Sequence, residues 1–256
     1  MAIIALKAWY LEQYEPMRQV TKRPHDLRLS RNSLLKSGLR ADFLDDSQDV
    51  EKSAWFGRYL EGETVEFYLE GSGVYVISNI DLISQEIYFT KLDSTARLDP
   101  VIFFSHQTEY PAASEALLRA LGEAIETLNK RSRLVLTLEV AQRPKDAPLR
   151  LSSSQLRKIR KSLLFVADGT PVARIEGENI SKLLLSPNVC VEIGYALQSK
   201  HSGEILLVNM ECPDLEGQFP FDLARQQQLE FKTPSELSQT LPTVLETLLQ
   251  RFKLFS

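Results

Sequence analysis

Residues 186–197 read Ser-Pro-Asn-Val-Cys-Val-Glu-Ile-Gly-Tyr-Ala-Leu, and this segment carries both a helix signal and the candidate site residues. Its first residues predict the start of a helix, because Ser186 is a favourable N-cap and Pro187 has no N–H to leave unpaired at the first helical position. Apolar residues then recur at helical spacing and should face a core: Val189, Ile193, Ala196 and Leu197.

A second stripe of the same helix carries an amide, a carboxylate and a phenol. Asn188, Glu192 and Tyr195 are spaced four and three residues apart, so their side chains can meet on one face. Such a group beside an apolar face is suited to a small ligand of the nucleotide type. The residues alone leave two roles open for Glu192, a functional carboxylate or a structural one that satisfies backbone groups or pairs with an arginine.

Around this helix, residues 99–256 alternate between strands and helices, which predicts a parallel sheet covered on both faces. The predicted strands are 101–105, 134–140, 162–168, 204–210 and 229–232. Helices are predicted at about 112–129 and 154–161 and from Thr233 onward, where Pro242 should break or reset the last one. The helix at 112–129 should bury one apolar face, made by Leu117, Leu118, Leu121, Ile125 and Leu128.

Residues 1–98 predict a separate, small β-rich domain whose role the sequence does not indicate. Its β-rich runs lie at 2–11, 64–70, 74–78 and 86–92, and Gly71-Ser72-Gly73 is typical of a hairpin turn. The segment 28–36 could form a short helix. The polar stretch 93–100 ends in a proline and predicts the domain boundary.

Polar side chains follow two of the predicted parallel strands. Ser105, His106 and Gln107 come after the first strand, and Asp168 and Thr170 come after the third. Ligands bind outside the carboxyl ends of the strands in such sheets, so we expect these residues to converge with the Asn188, Glu192 and Tyr195 stripe. His106 could be an acid or base or a loop histidine, and Asp168 could recognise a ligand or cap a helix. Arg225 could contact a phosphate or pair with Asp222.

The bulk composition is that of an ordinary globular protein, with a formal net charge of −4. This charge gives no general attraction to nucleic acid or to an anionic membrane, and no apolar run reaches the roughly 18 residues of a membrane span. Cys190 and Cys212 are the only cysteines, which predicts a reducing, cytoplasmic location. No metal site is expected, and no glycine-rich phosphate loop supports ATP hydrolysis or hydride transfer.

Four segments together resemble a bacterial TIR-like family described as predicted nucleotide-binding proteins. They are Phe103–Pro111, Phe165–Pro171, Ser186–Val189 running into Glu192–Ala196, and Phe219–Leu223. The family is similar to TIR domains and, more distantly, to nucleoside deoxyribosyltransferases. The resemblance covers roughly residues 100–252, and it implies a flavodoxin-like α/β fold that assembles into homo-oligomers.

Enzymatic relatives in this family are N-glycosidases of NAD or of a nucleoside, and Glu192 occupies the motif position of their catalytic glutamate. Cleavage of an N-glycosidic bond passes through an oxocarbenium-like ribose, which a carboxylate can attack or stabilise. Asn188 would then bind a ribose hydroxyl, and Tyr195 or Phe104 would stack on a base. No cofactor is expected beyond NAD or another nucleotide as substrate or ligand.

The resulting expectation is a TIR-like nucleotide-binding signalling or defence protein that could hydrolyse the N-glycosidic bond of NAD or a nucleoside. Two alternatives remain open. One is a non-catalytic interaction or nucleotide-sensing module, and the other is a nucleoside deoxyribosyltransferase-like enzyme.

Overall fold

The computed structural model describes residues 5–30, 38–92, 98–143, 153–177, 181–220, 224 and 227–255. Contacts divide the chain into two compact units, Met1–Arg97 and Leu98–Ser256. None of the described helices is both long and apolar enough to cross a membrane.

The first unit contains a six-stranded antiparallel sheet with the strand order β2-β1-β4-β5-β6-β3. Its strands are β1 (Ala5–Leu11), β2 (Leu27–Ser30), β3 (Gly38–Asp42), β4 (Glu66–Leu69), β5 (Gly73–Asp81) and β6 (Glu86–Leu92). Its helices are α1 (Met17–Val20), α2 (Ser47–Glu51) and α3 (Ala54–Leu60). An antiparallel bridge between Leu29 and Phe43 brings the two end strands together around an aromatic core.

Two local predictions for this unit have clear outcomes. The hairpin between β4 and β5 is confirmed, and its turn uses the left-handed backbone of Gly71 (φ 70°) and Gly73 (φ 110°). The helix predicted at 28–36 is wrong for residues 28–30, which form part of β2, and residues 31–36 lie outside the described part of the chain. Pairing of β2 with β1 and burial of Leu27 and Leu29 on one face outweigh a weak local helical pattern.

The second unit contains a five-stranded parallel sheet flanked by helices, with the strand order β13-β12-β9-β7-β8. The strands of this sheet are β7 (Asp99–Ser105), β8 (Thr137–Val140), β9 (Ser162–Asp168), β12 (Ile205–Met210) and β13 (Gln228–Phe231). A separate hairpin is formed by β10 (Ala173–Ile175) and β11 (Lys182–Leu184). The helices are α4 (Pro111–Asn129), α5 (Ser153–Lys161), α6 (Pro187–Ser199) and α7 (Pro234–Leu249). The mixed α/β class predicted from the sequence is therefore confirmed.

Pro242 does not break the last helix, contrary to the prediction. Helix α7 continues through it, because four fully buried leucines keep one face of the helix in the core: Leu237, Leu241, Leu245 and Leu249. Two other predicted core positions are also wrong. Leu118 on α4 is 41% exposed and Leu197 on α6 is 42% exposed, because each lies one position beyond the buried stripe of its helix.

Candidate functional site

The strand ends at the carboxyl edge of the parallel sheet carry polar groups on opposite faces. Ser105 on β7 is the register partner of Ala167 on β9, so these two side chains point to one face and Asp168 points to the other. Ser105 contacts Glu192 on α6, whereas Asp168 contacts Ser114 on α4. The sequence predicted that the polar residues would converge in one place. In the structure they form two clusters, one on each face of the sheet.

The first, the Glu192 cluster, consists of Glu192, Arg143, Gln155 and Ser105. The side chain of Glu192 is completely buried and that of Arg143 is 5% exposed. The guanidinium binds both carboxylate oxygens, with Nη1 to Oε1 and Nη2 to Oε2 both at 2.8 Å. Ser105 Oγ donates to Oε2 at 2.5 Å, and Gln155 Nε2 donates to Oε1. Each oxygen accepts two hydrogen bonds, so the carboxylate has no acceptor position to spare.

Arg143 also ties this cluster to the end of β7. Its Nε donates to the carbonyl oxygen of His106 at 3.0 Å, and its Nη1 is 3.3 Å from the carbonyl oxygen of Gln142. Residues Ala141 to Arg143 directly follow β8, the neighbour of β7 in the sheet. Arg143 therefore reaches Glu192 from the end of β8, the strand next to β7.

Arg143 and Gln155 are site residues that the sequence reasoning missed. Arg143 follows the strand predicted at 134–140, and Gln155 lies in the helix predicted at about 154–161. One signal was available for the arginine, since the residues after β8 must lie at the same edge as those after β7. The structural alternative considered for Glu192, pairing with an arginine, describes the observed contact.

The second, the Asp168 cluster, consists of Asp168, Thr170, Gln107 and Ser114, and all four residues are buried. Asp168 Oδ1 accepts the backbone N–H of Thr170 at 3.0 Å, and Ser114 Oγ lies 2.5 Å from Oδ2. Gln107 Nε2 donates to the carbonyl oxygen of Thr170 at 3.0 Å. Burial raises the pKa of Asp168, and the hydrogen bonds from Ser114, Thr170 and Gln107 oppose this rise only in part.

A cavity of about 230 Å³ opens beside this second cluster, between the ends of β7 and β8 and the first turns of α4. Its apolar walls are Phe104, Pro111, Leu118 and Val140, and its polar lining comes from His106, Gln107, Thr108, Ser114 and Glu115. The ring centroids of His106 and Phe104 are 6.1 Å apart. Burial lowers the pKa of His106, the charge of Arg143 lowers it further, and the charge of Glu192 opposes both effects.

Two buried polar atoms near this cavity have no hydrogen-bond partner within the described residues, His106 Nδ1 and Gln107 Oε1. Glu109, two residues further along the chain, is engaged by Ser186 Oγ at 3.0 Å and by the backbone N–H of Thr108 at 2.9 Å. Partial burial of Glu109 opposes its ionisation, but these hydrogen bonds outweigh the burial and lower its pKa.

The remaining predicted site residues do not join either cluster. Asn188 and Tyr195 on α6 are half-buried, and neither forms a side-chain hydrogen bond to a described residue. Tyr195 packs instead against the apolar core under α6. Arg225 lies outside the described residues, as does Asp222.

The described side chains include no group of three or more histidine, cysteine, aspartate or glutamate residues that could hold a metal ion. Both cysteines are unpaired thiols. Comparison with known proteins adds no relative, since no family model, no curated protein and no solved structure matches the chain.

Proposed function

We propose that residues 98–256 form a TIR-like, flavodoxin-like unit that binds a nucleotide at the carboxyl edge of its parallel sheet. The observation that carries this proposal is the cavity at the end of β7, which has aromatic and aliphatic walls and a polar lining. Open parallel sheets bind ligands at this edge, and ligand sites combine mostly apolar walls with a few polar groups.

The size of the cavity limits what it can enclose. Sites for whole drug-sized ligands measure roughly 300–1,000 Å³, and this cavity measures about 230 Å³. It therefore fits one ring system, such as the base of a nucleotide, rather than a dinucleotide. Phe104 is fully buried, so the half-buried ring of His106 supplies the aromatic surface for stacking, and the sugar and phosphates of the ligand would extend from the cavity toward solvent.

The contacts of Glu192 favour binding over turnover. A carboxylate acting on a ribose must offer an oxygen to the developing oxocarbenium ion. Both oxygens of Glu192 are instead occupied by Arg143, Gln155 and Ser105 in a buried network. The best-supported function is accordingly a nucleotide-binding or nucleotide-sensing module in which Glu192 is structural.

Hydrolysis of the N-glycosidic bond of NAD or a nucleoside is a second candidate, supported by the position of Glu192. Its carboxylate lies beside Ser105 at the carboxyl edge, on the face of the sheet opposite the Asp168 cluster, so a ligand in the cavity would have to cross the end of β7 to reach it. Turnover would require Arg143 and Gln155 to release the carboxylate. Glu192 would then stabilise the ribosyl cation while the base departs and water attacks the sugar.

A time course with NAD separates these two candidates. The purified protein is incubated with NAD at high protein concentration, and bound NAD and released nicotinamide are both measured. A double variant, Arg143→Met with Glu192→Met, removes both buried charges together and preserves the fold better than either single change. Binding without nicotinamide release supports the sensing module, and release that the double variant lacks supports hydrolysis. Absence of both binding and release would contradict the proposed function.

A role in signalling or defence, self-association and a cytoplasmic location belong to the same proposal. The first two rest on the resemblance of residues 100–252 to TIR-like proteins. The third is supported by the two unpaired thiols.

A further inference from the structure

Asp168 differs from the other buried carboxylates in the described part of the chain. Glu192 is paired with Arg143 at 2.8 Å, and Glu204 has Lys200 at 3.5 Å. No described lysine, arginine or histidine lies within 4 Å of the Asp168 carboxylate, although its side chain is completely buried. An ionised carboxylate is costly to bury without a cation, so the protonation state of Asp168 needs a separate argument.

The hydrogen bonds of Ser114 supply that argument. Its hydroxyl oxygen accepts the backbone N–H of Gln107 at 3.1 Å and lies 3.0 Å from the carbonyl oxygen of Gln107 and 2.5 Å from Asp168 Oδ2. Both of the latter atoms are acceptors if Asp168 is ionised, yet a serine hydroxyl has a single proton. A proton on Oδ2 resolves the conflict, because Asp168 then donates to Ser114 and Ser114 donates to Gln107.

We propose that Asp168 is protonated in the folded protein and that its O–H donates to Ser114, which holds the ends of β9 and β7 and the first turn of α4 in one polar joint. Ser114 and Gln107 line the cavity, so Asp168 is a positioning residue for the ligand site. That positioning role rests on the proposed function, whereas the protonation does not.

The surroundings of Asp168 agree with a neutral acid. Burial raises its pKa, with opposition from the hydrogen bonds of the joint. The titratable or charged side chains at this edge, on the elements packed against β9, include His106 and Glu109 after β7, Glu115 on α4, Arg143 after β8, Glu192 on α6, and Glu211, Cys212 and Asp214 after β12. Arg143 is engaged by Glu192, and the charge of Asp168 would act on Cys212, whose pKa burial already raises.

The consequence is a loss of stability as the pH rises. An unfolded aspartate ionises near pH 3.9, whereas folded Asp168 keeps its proton to a higher pH. Between those two pKa values the folded state binds one more proton than the unfolded state, so the folding equilibrium constant falls about tenfold per pH unit. Ionisation of the folded form would also turn the Ser114 proton toward Asp168 and away from Gln107.

The test compares the full chain with Asp168→Asn, in which the amide N–H₂ replaces the acid proton as donor to Ser114. Urea unfolding of the second unit is followed from pH 4 to pH 8, and Asp214→Asn removes an exposed carboxylate as the matched control. We expect Asp168→Asn to gain stability relative to the wild type as the pH rises and the control to follow the wild type. Parallel curves for all three proteins would overturn the proposal.

A measurement on the wild type avoids any dependence on the variant. The carboxyl carbons of ¹³C-labelled aspartate report protonation directly, and the Asp168 signal is assigned by its absence from Asp168→Asn. It should remain at the position of a protonated acid well above pH 3.9, near which an unfolded aspartate ionises. A signal that titrates near pH 3.9 would refute the protonation, and NAD binding by the same sample tests the proposed function separately.

Discussion

The contact between Arg143 and Glu192 predicts a large stability cost for replacing the arginine. Arg143→Ala would leave the Glu192 carboxylate completely buried, with hydrogen bonds from Ser105 and Gln155 but no compensating charge. Removing one partner of a buried ion pair typically costs about 3–5 kcal/mol. Because both side chains are almost fully excluded from water, little solvent screening reduces this value. We expect the free energy of unfolding to fall by about 3–5 kcal/mol.

An exposed ion pair in the same unit provides a matched control. Arg131 and Glu246 are joined at 2.8 Å, the same distance as Arg143 Nη1 and Glu192 Oε1, but the Arg131 side chain is 52% exposed. Arg131→Ala should change stability far less, and added salt should weaken what effect there is. The buried pair should keep most of its effect at 1 M salt.

The assay is urea unfolding at pH 7, followed by a signal from the second unit, since two compact units need not unfold in a single transition. A double-mutant cycle with Arg143→Met and Glu192→Met then measures the coupling. Each single variant should be strongly destabilised, and the double variant should recover most of the loss, because removing both charges leaves no unpaired charge. If Arg143→Ala cost no more than Arg131→Ala, or if the double variant were the least stable, the reasoning would be refuted.

Two further predictions concern His106 and Pro242. In Arg143→Met the pKa of His106 should rise, because the arginine charge that lowers it is lost and the opposing charge of Glu192 remains. An NMR titration of the imidazole measures this pKa, and an unchanged or lower value would contradict the prediction. In the wild type the depressed pKa of His106 means that its contribution to stability is lost as the pH falls below about 6.5, where the unfolded histidine takes up a proton. Pro242→Ala should stabilise the second unit by about 1–3 kcal/mol, because alanine has a backbone N–H that can donate to the carbonyl oxygen of Ser238 within α7. A lower urea midpoint for the variant would show that the proline is required there.

The sequence predicted the parts of the fold that local patterns encode. Continuous apolar runs at 101–104 and 163–167 became the central strands β7 and β9, and Ser186 with Pro187 marked the start of α6. Pro242 was misjudged because a local rule about proline competes with the burial of an entire leucine stripe, and only the packed structure shows which effect dominates.

The candidate site was predictable as an edge of the sheet but not as a set of contacts. Ser105 and Asp168 were both expected at this edge, yet their faces depend on the register of β7 against β9, which the sequence does not reveal. Arg143 and Glu192 are 49 residues apart, so no periodic pattern links them. The proposed structural role of Glu192 rests on that long-range contact, which is why residue types alone left it open.

Binding of NAD to two tryptophan variants tests the central claim, that a nucleotide binds in the cavity at the end of β7. Leu118 and Leu197 are leucines of nearly equal exposure, 41% and 42%, on α4 and α6, but only Leu118 lines the cavity. Leu118→Trp should fill the cavity, and Leu197→Trp should leave it open. Calorimetric titration should show NAD binding to the wild type and to Leu197→Trp, with at least about tenfold weaker binding to Leu118→Trp, equivalent to about 1.4 kcal/mol. Equal affinity in all three proteins, or no binding by the wild type, would contradict the account.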